Sequence, residues 1–265
     1  MFFLILVLIL LIIMLFCLMP SLRRHPDRQL LSGLRIAHRG LHNEQIPENS
    51  LEAFAEAAAN GYAIENDIHI TSDGEIVVFH DNTLERMCGV EGKIEDKTLA
   101  ELRELRLKDS NQRIPTLKEC LDLVEGRVPL LIEFKCPLGG HKRLCEGADK
   151  ILREYKGKYF IQSFNPQIPT WYRFNRKDIL RGQLAMPCKE KNIAKKLVSS
   201  FFMNFGARPD FVAYDEREPE RFSFRLQKLL GALPVGWTFK TAEDLSKKRN
   251  LFKAYIFENF IPDDK

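Results

Sequence analysis

The 265-residue sequence predicts a closed (β/α)8 barrel of the TIM type, slightly irregular, preceded by one N-terminal transmembrane helix. Three observations carry this reading. Short apolar runs alternate with amphipathic stretches through residues 33–265, the pattern of parallel βαβ units. Four consecutive runs end in acids, bases or cations, and the C-terminal strand ends are where such barrels do their chemistry. The composition, 45% hydrophobic and 29% charged, is that of a globular chain with one large core. It excludes disorder, collagen-like repeats and a small disulfide scaffold. A net charge of +4, spread along the chain, leaves no nucleic-acid footprint. No linker, repeat or obligate protein partner is evident.

Residues 1–20 are read as an anchor. The first 19 residues carry no charge and no polar face, and as a helix they reach about 28 Å, close to a bilayer core. A cleaved signal peptide fits less well, because no basic residue precedes the run and no Ala-x-Ala-like site follows. Phe16 is too bulky to precede a lipidated Cys17. Residues 21–32 form a juxtamembrane tether. Arg23, Arg24 and Arg28 follow the span, so the positive-inside rule places a single-pass protein with its catalytic domain in the cytoplasm. The five cysteines beyond the span are odd in number and irregularly spaced, which suits reduced thiols; no zinc spacing occurs.

Within the barrel, strands are predicted over 34–37, 63–70, 75–79, 128–134, 159–164, 179–185, 211–214, 234–239 and 254–257. Helices are predicted over 50–60, 116–124, 142–155, 191–202, 221–230 and 242–247. The first has Asn49 or Ser50 as N-cap and Gly61 as its stop. Nine strands compete for eight places. Thr71-Ser72-Asp73-Gly74 is too short for a crossover, so the second and third runs form a hairpin-like pair. A doubly wound sheet is the structural alternative, but no glycine-rich loop follows the first strand.

The strand ends carry His38-Arg39-Gly40, Glu65-Asn66-Asp67, His80-Asp81 and Glu133-Phe134-Lys135. Glu65 and Asp67, two apart on a strand, share one face. Two such carboxylates repel unless a cation lies between them, and Glu133 offers a third oxygen. Carboxylate-only ligation suits Mg2+ or Ca2+ better than zinc. A structural network with Arg39 and Lys135 is the competing reading for the acidic pair alone. The hairpin places Asp67 roughly opposite His80, so His38 and His80 form a candidate acid–base pair. Arg39 and Lys135 offer positive charge to an anionic substrate. His42, His69 and His141 are read as surface or core residues, and His25 lies in the tether. No G-x-S-x-G elbow and no P-loop is present. The constellation points to phosphoryl chemistry.

The ordered motifs Ala37-His38-Arg39-Gly40, Pro47-Glu48-Asn49-Ser50, Ile64-Glu65-Asn66-Asp67-Ile68, Thr71-Ser72-Asp73-Gly74 and His80-Asp81 resemble the glycerophosphodiester phosphodiesterase family. Glu133-Phe134-Lys135, Ser163-Phe164 and Trp237-Thr238 continue the match. The resemblance implies a TIM barrel and metal-dependent hydrolysis of glycerophosphodiesters to an alcohol and sn-glycerol 3-phosphate. It implies one divalent ion, Mg2+ or Ca2+, on Glu65, Asp67 and Glu133, with His38 and His80 as the acid–base pair. Arg39 and Lys135 become phosphate contacts, Glu48 a metal-site or glycerol contact, and Trp237 either a pocket wall or barrel-end packing. Residues 83–115 resemble the family's substrate-covering insertion. Three departures stand out: Glu258-Asn259 where Thr-Asp is usual, Gln162 before Ser163 in place of an acid, and Asn66 between the two ligands. The anchor adds a lysophospholipase D acting on membrane lysolipids as an alternative, and a catalytically silent, membrane-tethered binding barrel is a second.

Overall fold

In the computed structural model, residues 1–23, 25–137, 139–188 and 192–263 are described. Nine strands form one sheet: β1 (Arg35–Ala37), β2 (Ala63–Ile70), β3 (Ile76–Val78), β4 (Leu130–Phe134), β5 (Tyr159–Ser163), β6 (Leu180–Ala185), β7 (Phe211–Asp215), β8 (Leu233–Phe239) and β9 (Ala254–Phe257). The order runs β1-β9-β8-β7-β6-β5-β4-β2, and β1 also pairs with β2, which closes the barrel. All eight pair in parallel. The ninth strand, β3, pairs antiparallel with β2, as the short Thr71–Gly74 turn requires.

Alternation along each strand sorts the apolar residues into two cores. Ile36, Ala63, Leu131, Phe160, Leu184, Phe211, Val235 and Ile256 fill the barrel interior. The opposite parity, including Ile64, Ile132, Ile161, Val212 and Phe257, packs under the helices. The interior mixes large residues such as Phe160 and Phe211 with small ones such as Ala63. Gly182 shows the limit: a Cβ there would lie 2.1 Å from the Phe211 ring. Leu31, wholly buried, joins this interior cluster from the short helix Arg28–Leu31.

Helices cover the outside. Leu51–Ala59 starts at Ser50, whose hydroxyl accepts from the Ala53 amide at 3.1 Å. Leu117–Val124 starts in a reciprocal Thr116/Glu119 capping box. Gln167–Asn175 is a further helix beyond those predicted, and it carries Pro169. That proline falls in the first turn, where the missing N–H has no helical partner to lose. The helix predicted from 191 runs Ile193–Ser199, and Lys191 itself lies outside the described residues.

The expected membrane anchor is overturned. The first helix is Phe2–Leu18, 17 residues or about 25 Å, against a hydrocarbon core of about 30 Å. Among the described residues no helix is long and apolar enough to cross a membrane. The physical reason is Pro20, which forces Met19 into an extended conformation and stops the helix early. The Leu18 carbonyl then accepts from the Gln227 amide at 2.9 Å, which ties this end to the barrel. The single-pass topology, the membrane contact through residues 1–20 and the cytoplasmic placement built on them fall together. Of the arginines used for that orientation, Arg23 donates to Asp210 at 2.7 Å, and Arg24 lies outside the described residues. No disulfide joins the described cysteines.

Gly182→Ala should displace the buried Phe211 ring and destabilise the barrel by about 1–3 kcal/mol. Urea unfolding with an unchanged m value checks this, and an unshifted midpoint would refute it.

Candidate active site

Strand register builds the acidic centre. Asp67 pairs with Glu133 across β2 and β4, and Glu65 lies two residues before Asp67 on the same face. Ligand oxygens of the three lie within 4.8 Å of one another, and all three side chains are buried. Two cations enter the cluster. The Lys135 ammonium lies 2.6 Å from Glu133 Oε1 and 3.1 Å from Asp67 Oδ1. Arg39 Nε lies 3.4 Å from Asp67 Oδ2, and the Arg39 backbone N–H donates to Glu65 Oε2 at 3.1 Å.

Three carboxylates against two cations leave one negative charge in a buried place. Burial, followed by the charges of Asp67 and Glu133, pushes Glu65 well above the usual carboxylate range. Burial raises Glu133 as well, against the pull of Lys135. Asp67 goes the other way: burial opposes ionisation, but Lys135, His80 and Arg39 together hold it well below its usual value. Asp67 Oδ1 and Glu133 Oε1 both meet Lys135 as ion pairs. This donor set, oxygen-only, crowded and negatively charged, fits a hard divalent cation.

The two histidines flank this centre. His38 follows β1, and its backbone N–H donates to the Phe257 carbonyl at 2.9 Å. The next turn is tight. Arg39 has φ 56°, and a Cβ on Gly40 would lie 2.8 Å from the Ala53 backbone, so only glycine lets this loop sit on the helix. His80 ends the hairpin. Phe79 stands against Asp67, with its N–H on the Asp67 carbonyl at 2.9 Å, so His80 is one residue beyond the expected pairing. His80 Nδ1 contacts Asp81 Oδ1 at 2.7 Å. Burial lowers the pKa of both histidines.

A second layer of charge surrounds the first. Glu48 accepts from Arg39 at 2.7 Å and from Arg86 at 2.7 and 3.0 Å. Arg86 also grips Asp81, at 2.6 and 3.0 Å. Burial disfavours the Glu48 carboxylate, but Arg86 and Arg39 outweigh it and lower its pKa to about 2. Glu48, Arg39 and the acidic triad thus form one connected network with Lys135, Arg86, Asp81 and His80. Trp237 stands apart from it, edge-on to Phe164 at 5.7 Å. Phe164 in turn shares a cavity of about 360 Å³ with Glu133 and Lys135, and Asn82, Lys93 and Glu95 of the 82–95 segment form another wall.

Three participants escaped sequence reasoning. Asn49, expected as a possible helix cap, instead donates from Nδ2 to Asp67 Oδ2 at 2.9 Å, and Ser50 is the cap. Its signal was present in the Pro-Glu-Asn-Ser run but pointed to two roles. Arg86 belongs to a short helix, Glu85–Cys88, in a region with no strand-end pattern. Glu258, noted only as a departure, contacts His38 Nδ1. Of the other departures, Gln162 pairs with Glu133 in register and is buried beside it, whereas Asn66 has the parity of the outer core and faces away. Of the remaining histidines, His69 is buried beneath the His80 carbonyl, and His25 is buried with Nε2 on the Asp178 carbonyl at 2.8 Å.

Residues 38–192 match the model of the glycerophosphoryl diester phosphodiesterase family, and the chain belongs to that family. A glycerophosphodiester phosphodiesterase of Caldanaerobacter subterraneus is 37% identical over 51% of this chain and 59% of that protein. The mouse glycerophosphodiester phosphodiesterase 1 is 34% identical over 54% of this chain and 48% of its own length. The chain therefore spans about half the length of the curated relatives it matches. An Oleispira antarctica phosphodiesterase, solved with the product sn-glycerol-3-phosphate, superposes with a TM-score of 0.72 at 21% identity, covering 86% of this chain and 94% of that one. A Thermotoga maritima glycerophosphodiester phosphodiesterase gives 0.65 at 27% identity, covering 84% and 94%.

Glu48→Gln should lower stability by a constant amount above the unfolded pKa of about 4.3, with the difference narrowing as pH falls toward about 2. The sign follows from the depressed folded-state pKa, which loses its stabilisation as the acid protonates. Denaturant unfolding from pH 7 to pH 3 checks it; a gap that widens on acidification would refute the assignment.

Proposed function

We propose that this chain is a metal-dependent phosphodiesterase that hydrolyses glycerophosphodiesters to an alcohol and sn-glycerol 3-phosphate. The observation that carries the reading is the convergence of His38 and His80 on one buried centre of Glu65, Asp67 and Glu133, with Arg39 and Lys135 beside it. The names of the relatives and the product complex of the Oleispira antarctica phosphodiesterase support it. Glu65, Asp67 and Glu133 would hold Mg2+ or Ca2+, which when bound supplies positive charge to a phosphoryl oxygen.

The chain's own residues do the rest. Lys135 and Arg39 offset phosphate charge, Lys135 as a point charge and Arg39 through its planar fork. One histidine takes the proton of the attacking oxygen, and the other gives a proton to the departing alkoxide. The attacker is either water or the substrate's own glycerol hydroxyl, and the same two groups serve both routes. Glu48 holds Arg39 in place, and residues 83–115 cover the substrate together with Trp237. A silent barrel would have no need for both histidines at this centre.

A second reading concerns the substrate's size. A larger cavity, about 910 Å³, adjoins the centre through Cys136, Phe164 and Asn165, and its wall includes Met186, Pro187 and Val198. An apolar annex of this size favours a lysolipid, with lysophospholipase D activity, over glycerophosphocholine alone.

Purified protein stripped with EDTA should release no glycerol 3-phosphate from glycerophosphocholine or glycerophosphoethanolamine, and Mg2+ or Ca2+ should restore release. His38→Ala or His80→Ala should each lower kcat by about 10²–10⁴-fold with unchanged thermal melting. Near-normal turnover in both variants would sink the assignment. Val198→Asp should depress turnover of lysophosphatidylcholine while sparing glycerophosphocholine; equal effects on both would remove the lysolipid reading.

A further inference from the structure

Glu258 leaves β9 beside the point where His38 leaves β1. Register puts them together: Ala37 pairs with Phe257, so residues 38 and 258 emerge from adjacent strands at the same height and parity. The Glu258 backbone N–H donates to the Phe239 carbonyl at 2.9 Å, which fixes its entry into the site. Its two carboxylate oxygens divide their work. Oε2 meets His38 Nδ1, and Oε1 lies 2.7 Å from the Lys240 ammonium. The carboxylate and the imidazole are only 10% and 15% exposed, whereas Lys240 is 64% exposed. The Lys240 pair is therefore screened by solvent and contributes little, and the contact that matters is the buried one with His38.

We propose that Glu258 is a positioning residue for the phosphodiester reaction: it accepts a hydrogen bond from Nδ1–H of His38, fixes the ring's orientation and tautomer, and leaves Nε2 to exchange a proton with the substrate. An ionised carboxylate can only accept, so the proton of a neutral His38 ring must sit on Nδ1. The environment keeps Glu258 ionised. Burial opposes its charge, but the hydrogen bond with His38 outweighs it and holds the carboxylate below its usual range. The other histidine is served differently. His80 also meets a carboxylate through Nδ1, but Asp81 is gripped by Arg86 through both oxygens, and the pair is 31% and 22% exposed. A cation drawing on both oxygens leaves Asp81 a weaker acceptor for imidazole than Glu258. The two histidines are thus held unequally, with the deeper one set for accepting a proton.

The assignment rests on the phosphodiesterase reading of the site, and the test separates the two. Full-length wild type, Glu258→Gln and Glu258→Asp are compared by steady-state kinetics on glycerophosphocholine. Long-range ¹H–¹⁵N spectra of ¹⁵N-histidine-labelled protein report the tautomer, with the His38 signals identified from their loss in His38→Asn. The expected wild-type spectrum shows His38 protonated at Nδ1. Glu258→Gln should lower kcat by about 10²–10⁴-fold with KM changed less than about threefold, and should shift the His38 tautomer. Glu258→Asp should recover part of kcat. If Glu258→Gln does not fold, reduced kcat at near-normal KM in Glu258→Asp carries the same test. An unaltered His38 tautomer, or kcat within about threefold of wild type, overturns the proposal, because a purely structural glutamate would move melting temperature and neither of these readouts. A wild-type protein that releases no glycerol 3-phosphate under any metal overturns the phosphodiesterase reading instead, and the spectra still decide whether Glu258 holds His38.

Discussion

Three carboxylates share one buried pocket, and this crowding sets the terms for the rest of the site. Strand geometry makes it unavoidable, since Glu65 and Asp67 have the same parity on β2 and Glu133 stands beside Asp67 on β4. Buried like charges repel strongly where the dielectric is low. Lys135 and Arg39 answer two of the three charges, and burial with like-charge repulsion drives Glu65 toward its neutral form. The cations in turn need fixing. Glu48 and Arg86 do this from outside, and Asn49 braces Asp67 directly.

The barrel makes such concentration possible. Its interior is filled at lower levels by packed apolar side chains, with Phe160 and Phe211 as the largest wholly buried ones and Gly182 giving way to Phe211. Above this floor the same inward parity delivers His38, Asp67, Glu133 and Glu258. One geometric rule thus makes both a rigid plug and a reactive surface. Packing that cannot relax keeps the charged groups at fixed separations, which is what electrostatic preorganisation requires.

Among the described strands, β3 alone pairs antiparallel, on β2, and this hairpin brings His80 and Asp81 to the site. The hairpin returns the chain along the mouth of the barrel, and the segment that follows supplies Arg86. Residues 77–114 gather a small core of their own around Phe79, Leu84, Met87 and Ile94, so this segment has a packed base of its own.

How much of this was legible in advance divides along a physical line. Strand parity, the four charged strand ends, the hairpin and the family resemblance are local or ordered features, and they disclosed the barrel, the acidic triad and its flanking cations and histidines. Contacts between residues far apart in the chain left no such trace. Glu258 reaches His38 across 220 residues because the barrel closes β9 against β1, and Arg86 reaches Glu48 across 38 through a helix only four residues long. The same holds at the N-terminus. Hydropathy alone marked residues 1–20 as a span, but Pro20 stops the helix at Leu18, and Gln227 binds its last carbonyl. The sequence by itself determined which groups come to the strand ends, because alternation and spacing are written into a single strand. Only the tertiary structure decided which partners orient them, because hydrogen bonds across a closed sheet depend on where distant strands meet.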